Sequence, residues 1–136
     1  MEDFKIVQLI DIACRMQGQE FVWGENDCNM IAVMSSDILH DTEIAVDHFR
    51  TYSTERGAIR KSKKVNALNL LKQAGYKKVK KNHEQFGDVL IVKEKKWFCT
   101  HVYLGSGKVL SSLPETGVCI TKIDMSSSYK TYRMVK

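Results

Sequence analysis

Residues 21–28, with the sequence FVWGENDC, constrain this chain most, because they predict a tight turn that delivers a cysteine onto the first turn of a helix. Gly24 permits backbone angles that other residues avoid. Asn26 is a preferred helix N-cap, and Asp27 places a carboxylate near the positive end of the helix dipole. At about the second helical residue, Cys28 meets unpaired backbone N–H groups, which stabilise a thiolate and lower the pKa of a thiol. Cys28 is therefore either a reactive thiol or, like most buried cysteines, a packing residue.

The composition is that of one globular domain. The chain has 136 residues, of which 43% are hydrophobic and 27% are charged, and this length suits a single core rather than two. No apolar run approaches the roughly 20 residues that span a bilayer. The first residues, MEDFK, lack the basic and apolar regions of a secretory signal. We therefore expect a soluble protein made in a cytoplasm, with no membrane span.

The cysteine and histidine spacing predicts neither a metal site nor a bound cofactor. Cysteines stand at positions 14, 28, 99 and 119, without a Cys-x-x-Cys pair or a nearby Cys/His pair of zinc-site spacing. We interpret all four as reduced thiols; the alternative is a disulfide between Cys99 and Cys119 on neighbouring strands. His40 and His48 have no sequence-adjacent partner, so we expect them to face solvent or to pack rather than to bind a ligand.

Charge is segregated along the chain. Residues 1–55 contain 11 acidic and 3 basic residues, whereas residues 56–81, called here the basic block, contain 10 basic and no acidic residues. The basic block is either a solvated helix face or a docking surface for a cell-wall polyanion, an acidic protein or a nucleic acid. Nucleic acid has the least support, because Tyr52 and Tyr76 flank the block without forming a stacking array.

The hydrophobic periodicity changes from helical to alternating near residue 86. Helices are predicted at 3–17, 28–40, after 41, at 52–60 and at 64–74, and strands at 89–92, 98–104, 109–113, 118–123 and 129–135. In the first helix Phe4, Val7, Ile10, Ala13 and Cys14 form the predicted apolar face. Ile6, Leu9 and Ile12 widen this face, so we expect the helix to pack on more than one side. The prediction is a single α+β domain over 1–136, with a helical part (1–81) packed on a C-terminal antiparallel β-meander (86–136).

A nucleophilic cysteine needs a general base, usually a histidine, and a group that orients the base. His101 lies in the middle of a predicted strand. If the following hairpin turns at residues 106–107, His101 lies opposite Ser112, with Ser111 one step away and Asp88 at the start of the neighbouring strand. Any of these three side chains is a candidate to orient the imidazole.

These motifs carry a resemblance. The patterns Trp-Gly-x-x-Asp-Cys, Gly-Asp-Val-Leu-Ile-Val and His-Val-Tyr-Leu-Gly-Ser-Gly-Lys, in this order, resemble the NlpC-type peptidoglycan peptidases, which are compact relatives of papain. The chain is most similar to their small phage-encoded branch, over roughly residues 20–135. The resemblance implies an NlpC/papain-like fold, with Cys28 as the nucleophile, His101 as the base and Ser111 or Ser112 as its orienter. It also implies hydrolysis of an amide in a cell-wall peptide, and a location in the cytoplasm of the infected host and in the virion tail.

Three positions depart from the family pattern. Asn29 and Met30 follow the cysteine, where the family usually has Ser-Gly. Cys99 stands where the family usually has its histidine, and His101 stands where a glycine is common. The third polar position falls on Ser111, which is a poorer orienter. The alternative function is therefore a catalytically weak or inactive structural virion or tail-assembly protein that contacts its partners through the basic block.

Overall fold

The computed structural model describes residues 2–93, 98–124 and 126–135. The helices are α1 (Asp3–Met16), α2 (Cys28–His40), α3 (Ala45–His48), α4 (Glu55–Lys64) and α5 (Ala67–Ala74). The strands are β1 (Tyr76–Val79), β2 (Val89–Lys93), β3 (Phe98–Gly105), β4 (Lys108–Leu113), β5 (Gly117–Lys122) and β6 (Lys130–Met134). The predicted α+β class, with helices preceding an antiparallel sheet, is confirmed. Over the described residues, no helix combines the length and the apolar character needed to cross a bilayer.

The sheet differs from a simple meander. Its strand order is β1-β6-β2-β3-β4-β5, so β2 to β5 form the predicted meander while β6 returns to lie between β1 and β2. Arg133 on β6 helps to hold this position, because its guanidinium donates to both carboxylate oxygens of the buried Asp88, beside the start of β2, at 2.9 and 2.8 Å. The last strand thus lies inside the sheet, between two other strands, rather than at its edge.

The sheet also begins earlier than predicted, inside the segment expected to be helical (1–81). Tyr76 to Val79 form the edge strand β1, with Tyr76 opposite Met134 of β6. Tyr76 is buried, whereas Lys77 and Lys78 are exposed. Lysines are common on edge strands, where their charge discourages pairing with another chain. Because of these lysines, the strand was not predicted from the sequence.

The inward face of α1 was predicted correctly only in part. The buried residues of this helix are Leu9 and Ala13, which pack with Ile31 of α2 and Val118 of β5. Half of the residues predicted for this widened face are exposed: Phe4, Val7, Ile10 and Cys14. The helix is apolar on several sides, and so periodicity alone did not distinguish the face that meets the core.

Helices α4 and α5 each begin after a residue whose side chain caps the helix. Thr54 accepts a hydrogen bond from the Gly57 backbone N–H at the start of α4, and Asn66 accepts one from the Asn69 N–H at the start of α5. The predicted helices at 52–60 and 64–74 are thus shifted, because Asn66 is a strong N-cap that starts a new helix. None of the residues of α4 is buried, so this helix lies on the surface.

Helix α2 is the centre of the core. Met30 and Val33 pack with Ile91 of β2 in one hydrophobic cluster, and Ile31 packs with Val102 of β3 in a second. A helix that is apolar on most sides is buried on most sides. Packing along α2 therefore fixes its first residue, Cys28, against the sheet.

Candidate functional site: a cysteine at the start of the central helix

The N-cap of α2 is Asp27, and Cys28 is the first helical residue. The Asp27 Oδ1 atom accepts a hydrogen bond from the Met30 N–H at 3.0 Å. The predicted cap, Asn26, was therefore wrong by one position. Asn26 instead closes the preceding turn, where its Oδ1 atom accepts from the Val22 N–H at 2.7 Å. Both residue types suit a cap, and the local sequence did not rank them.

The second carboxylate oxygen of Asp27 links the turn to the segment just before α4. It accepts hydrogen bonds from the Gly24 N–H at 2.7 Å and from the Tyr52 hydroxyl at 2.8 Å. Gly24 has a φ of +80°, and a Cβ atom there would lie 2.0 Å from the Tyr52 carbonyl oxygen, so only glycine fits. Burial, followed by the charge of Asp27, raises the pKa of Tyr52, which keeps its hydroxyl protonated as a donor. The Trp-Gly-x-x-Asp-Cys pattern thus encodes a rigid support for Cys28.

The Cys28 thiol lies in surroundings that favour its anion. Hydrogen bonding with Cys99 is the largest cause of its lowered pKa, and backbone and side-chain hydrogen bonds with Thr100 add to it, against burial and the charge of Asp27. The start of a helix lowers a thiol pKa in the same direction. The side chain of Cys28 is only 6% exposed. The expected lowering of the pKa is therefore present, with hydrogen-bond partners that the sequence had not identified.

One wall of a cleft contains Cys28. The cleft has a volume of about 300 Å³, near the lower limit of small-ligand pockets. Phe21 and Trp23 line the cleft in an edge-to-face contact, with ring centroids 4.6 Å apart. Ile59 and Lys63 of the surface helix α4 also line it. The thiol therefore adjoins a partly apolar cleft of small-ligand size.

The imidazole of His101 is hydrogen-bonded through Nδ1 to Ser111 Oγ. The predicted pairing of His101 with Ser112 was wrong, because an irregularity between Tyr103 and Gly105 shifts the register of β3 and β4 by one residue. Burial lowers the pKa of His101. Of the three candidate orienters, Ser111 is thus the one in contact.

The other two candidates lie elsewhere. Ser112 lines the cleft with Cys28, and its buried hydroxyl has no hydrogen-bond partner within the described part of the chain. Asp88 accepts from Arg133 and from the Gln85 backbone N–H, so it stabilises the fold.

Cys28 and His101 have different described partners. The thiol contacts Cys99 and Thr100, and the imidazole contacts Ser111. Thr100 lines the cleft and His101 does not, consistent with the alternation of side chains along a strand. Action of His101 as the base for Cys28 remains a prediction.

Several residues around the site were not identified from the sequence as parts of it. Thr100 donates to Asn29 Oδ1 at 3.0 Å, which explains an asparagine directly after the cysteine. His48 is buried, and its ring centroid lies 5.7 Å from that of Tyr52. The prediction that His48 packs is confirmed, and the solvent-facing alternative is wrong. Burial lowers the pKa of His48, which favours the neutral imidazole.

All four cysteines are outside disulfides, as the reduced interpretation predicted, and the Cys99–Cys119 bridge is absent. Across residues 2–93, 98–124 and 126–135, no three His, Cys, Asp or Glu side chains are grouped so that they could hold a metal ion.

Together these features define an α+β domain whose central helix begins with a cysteine at a cleft. The chain belongs to the family described as a domain of unknown function, DUF6950, whose model matches residues 6–134. The matched range contains the cysteine turn, the basic block and all six strands. No curated protein matches the chain.

Proposed function

We propose that this protein is a phage tail-associated, NlpC-like cysteine amidase or endopeptidase that acts on cell-wall peptides. The observation that carries the proposal is the Cys28 thiol, with its lowered pKa, at the start of α2 and beside a cleft. The order of the motifs around it, which resembles that of the NlpC-type peptidases, supports the substrate class.

The chemistry begins with attack of the Cys28 thiolate on an amide carbonyl carbon. A C–S bond forms, and the negative charge moves to the carbonyl oxygen. The backbone N–H of Cys28 is a donor for this oxyanion, because the first N–H groups of a helix have no intrahelical partner. Collapse of the intermediate breaks the C–N bond and releases an amine, which takes a proton. Water then hydrolyses the thioester.

His101 is the proposed source and acceptor of these protons. Its Nδ1 atom contacts Ser111, and this contact leaves Nε2 for a second partner. The lowered pKa of the buried imidazole favours the neutral form, which is the form that acts as a base. His101 must reach the thiol when substrate is bound, since its described contact in the structure is with Ser111.

The cleft suits a peptide with a carboxylate. The aromatic rings of Phe21 and Trp23 offer an apolar surface, and Lys63, which also lines the cleft, contributes a cation. An ammonium–carboxylate contact is among the stronger hydrogen bonds in proteins. Peptides of the cell wall supply both apolar methyl groups and free carboxylates.

The test is hydrolysis of purified peptidoglycan fragments. Mass spectrometry identifies the products, each cleavage giving one fragment with a new amino group. The expected result is cleavage by the wild type, no cleavage by Cys28→Ala, and strongly reduced cleavage by His101→Gln. Cys14→Ala is the matched control, because Cys14 is exposed on α1, and it should retain full activity. Absence of cleavage by folded wild-type protein, or equal cleavage by Cys28→Ala, would refute the proposal.

A second candidate function is a structural virion or tail-assembly role. It is favoured by the separate partners of the two proposed catalytic side chains, with Cys28 against Cys99 and His101 against Ser111. Such an arrangement preserves the fold without an assembled catalytic pair. The surface available for a partner is the basic block, whose ten basic residues form no ion pair within the described parts of the chain.

Charge reversal distinguishes this candidate. Lys61→Glu, Lys63→Glu and Lys64→Glu together should weaken co-purification with tail proteins, while Cys28→Ala leaves it unchanged. The matched control reverses three lysines outside the block, and it should bind as the wild type does: Lys108, Lys122 and Lys130, all exposed. Equal binding by both triple variants would exclude the basic block as the docking surface.

A further inference from the structure

Cys28 at the start of α2 and Cys99 on β3 form a buried pair of thiols. Hydrogen bonding with Cys99 lowers the pKa of Cys28, and the exposed fractions of the two residues are 6% and 0%. The neighbouring residues hold the two segments together, because Thr100 Oγ1 donates to Asn29 Oδ1 at 3.0 Å. We propose that Cys28 and Cys99 are a modification site, at which hydrogen peroxide converts the two thiols into a reversible disulfide.

Cys28 is the thiol that reacts first. It lines the cleft, so a molecule as small as peroxide reaches it, whereas Cys99 is completely buried. The start of a helix and the hydrogen bonds from β3 favour its thiolate, which is the form that attacks an oxidant. Thiolate character and access together decide which cysteine is oxidised.

The reaction has two steps. The Cys28 sulfur attacks one oxygen of hydrogen peroxide, an S–O bond forms, the O–O bond breaks, and the released hydroxide takes a proton to become water. The Cys99 sulfur then attacks the sulfenic sulfur of Cys28, an S–S bond forms, the S–O bond breaks, and a second water leaves with the Cys99 proton. Two electrons pass from the two thiols to one peroxide, which is reduced to two waters.

The remaining cysteines lie apart from this pair. Cys14 is exposed on α1. Cys119 on β5 is hydrogen-bonded with Thr116, with 3.8 Å between Sγ and Oγ1. The structure thus provides one partner for Cys28 and two cysteines that serve as internal controls.

The consequence for hydrolysis rests on the proposed function. A Cys28 held in a disulfide has no thiolate to attack the substrate, and reduction of the disulfide restores the thiolate. Disulfide formation itself is read as a mass change, without any substrate. Failure of the disulfide and failure of the hydrolase are therefore separate results.

The experiment treats full-length wild-type protein with a small excess of hydrogen peroxide and maps the cysteines by mass spectrometry without reduction. The expected product is one cross-linked peptide pair joining Cys28 to Cys99, lighter by two hydrogen atoms, and lost on addition of dithiothreitol. The Cys14→Ser, Cys119→Ser double variant should form the same product. In Cys99→Ala, Cys28 should instead proceed to the sulfinic acid.

Three outcomes would overturn the proposal: an unmodified Cys28, a Cys28 sulfenic or sulfinic acid that accumulates in the wild type, or a cross-link from Cys28 to Cys14 or Cys119. The result does not depend on the folding of a variant, because the decisive cross-link is measured in the wild type.

Discussion

Replacing Tyr52 with Phe removes a single hydroxyl group from the support of the cysteine turn. This hydroxyl donates to Asp27 Oδ2 at 2.8 Å, and Asp27 is 1% exposed, so water does not replace the lost donor. A hydrogen bond to a charged group contributes about 1.5–3 kcal/mol. The other oxygen of Asp27 keeps its bond from Met30, and Oδ2 keeps its bond from Gly24. We therefore expect Tyr52→Phe to lower the free energy of unfolding by about 2 kcal/mol.

The assay is urea denaturation, with a lower midpoint and an unchanged m-value as the expected result. Tyr129→Phe is the matched control. It removes the same group from a second tyrosine–carboxylate contact, in which Tyr129 donates to Glu84 Oε1 at 2.7 Å. Glu84 is only half-buried, so water compensates and the expected loss is below about 1 kcal/mol. A loss for Tyr52→Phe no larger than the loss for Tyr129→Phe would refute the argument.

Three further predictions concern the stability of the fold. Gly24→Ala places a Cβ atom 2.0 Å from a carbonyl oxygen and should prevent native folding. Its control is Gly18→Ala, at a similar φ of +91° but in open space, which should lower the free energy of unfolding by only about 1–2 kcal/mol. Circular dichroism melting curves that are alike for the two variants would contradict this prediction. Arg133→Met leaves the buried Asp88 carboxylate without its cation. The free energy of unfolding, measured by urea denaturation, should fall by about 3–5 kcal/mol. A fall below about 1 kcal/mol would show that the pair behaves as a surface ion pair. Burial raises the pKa of Tyr76 to about 12, so the folded state holds this proton more tightly than the unfolded state. Between about pH 10 and 12, Tyr76 should therefore contribute a fall in stability of about 1.4 kcal/mol per pH unit. This slope should be smaller in Tyr76→Phe, and an equal slope would contradict the assignment.

The features that could be predicted best from the sequence depend on contacts between residues close together in the chain. The start of α2 was predicted to within one residue, with Asn26 in place of Asp27 as the cap, because the hydrogen bonds of Asp27 with Gly24 and Met30 each span only three residues. The strands β2 to β5 followed from short apolar runs and turn residues. The resulting α+β class required no knowledge of how the strands are ordered.

The errors arose where distant residues decide the outcome. The edge strand β1 is defined by its pairing with β6 and was hidden by its lysines. The irregularity between Tyr103 and Gly105 moved His101 from Ser112 to Ser111. A side-chain period of two residues means that such a shift by one changes every cross-strand partner.

The partners of Cys28 could not have been chosen from the sequence for the same reason. Cys99 and Thr100 lie about seventy residues away and meet the thiol only because α2 packs on β3. Likewise, Tyr52 reaches Asp27 across 25 residues. The spacing identified the nucleophile candidate, and tertiary packing decided what surrounds it.

The central claim is that Cys28 is an activated thiol whose anion is stabilised by contacts with β3. The most direct measurement is the pH dependence of alkylation at Cys28 by iodoacetamide, mapped by mass spectrometry in the wild type and in Cys99→Ala. The account predicts a wild-type midpoint clearly below the value of about 8.5 for an ordinary thiol, and a higher midpoint in Cys99→Ala, because the Cys99 hydrogen bond is the largest cause of the lowered pKa. A wild-type midpoint at or above about 8.5 would contradict the claim, as would identical midpoints in the two proteins.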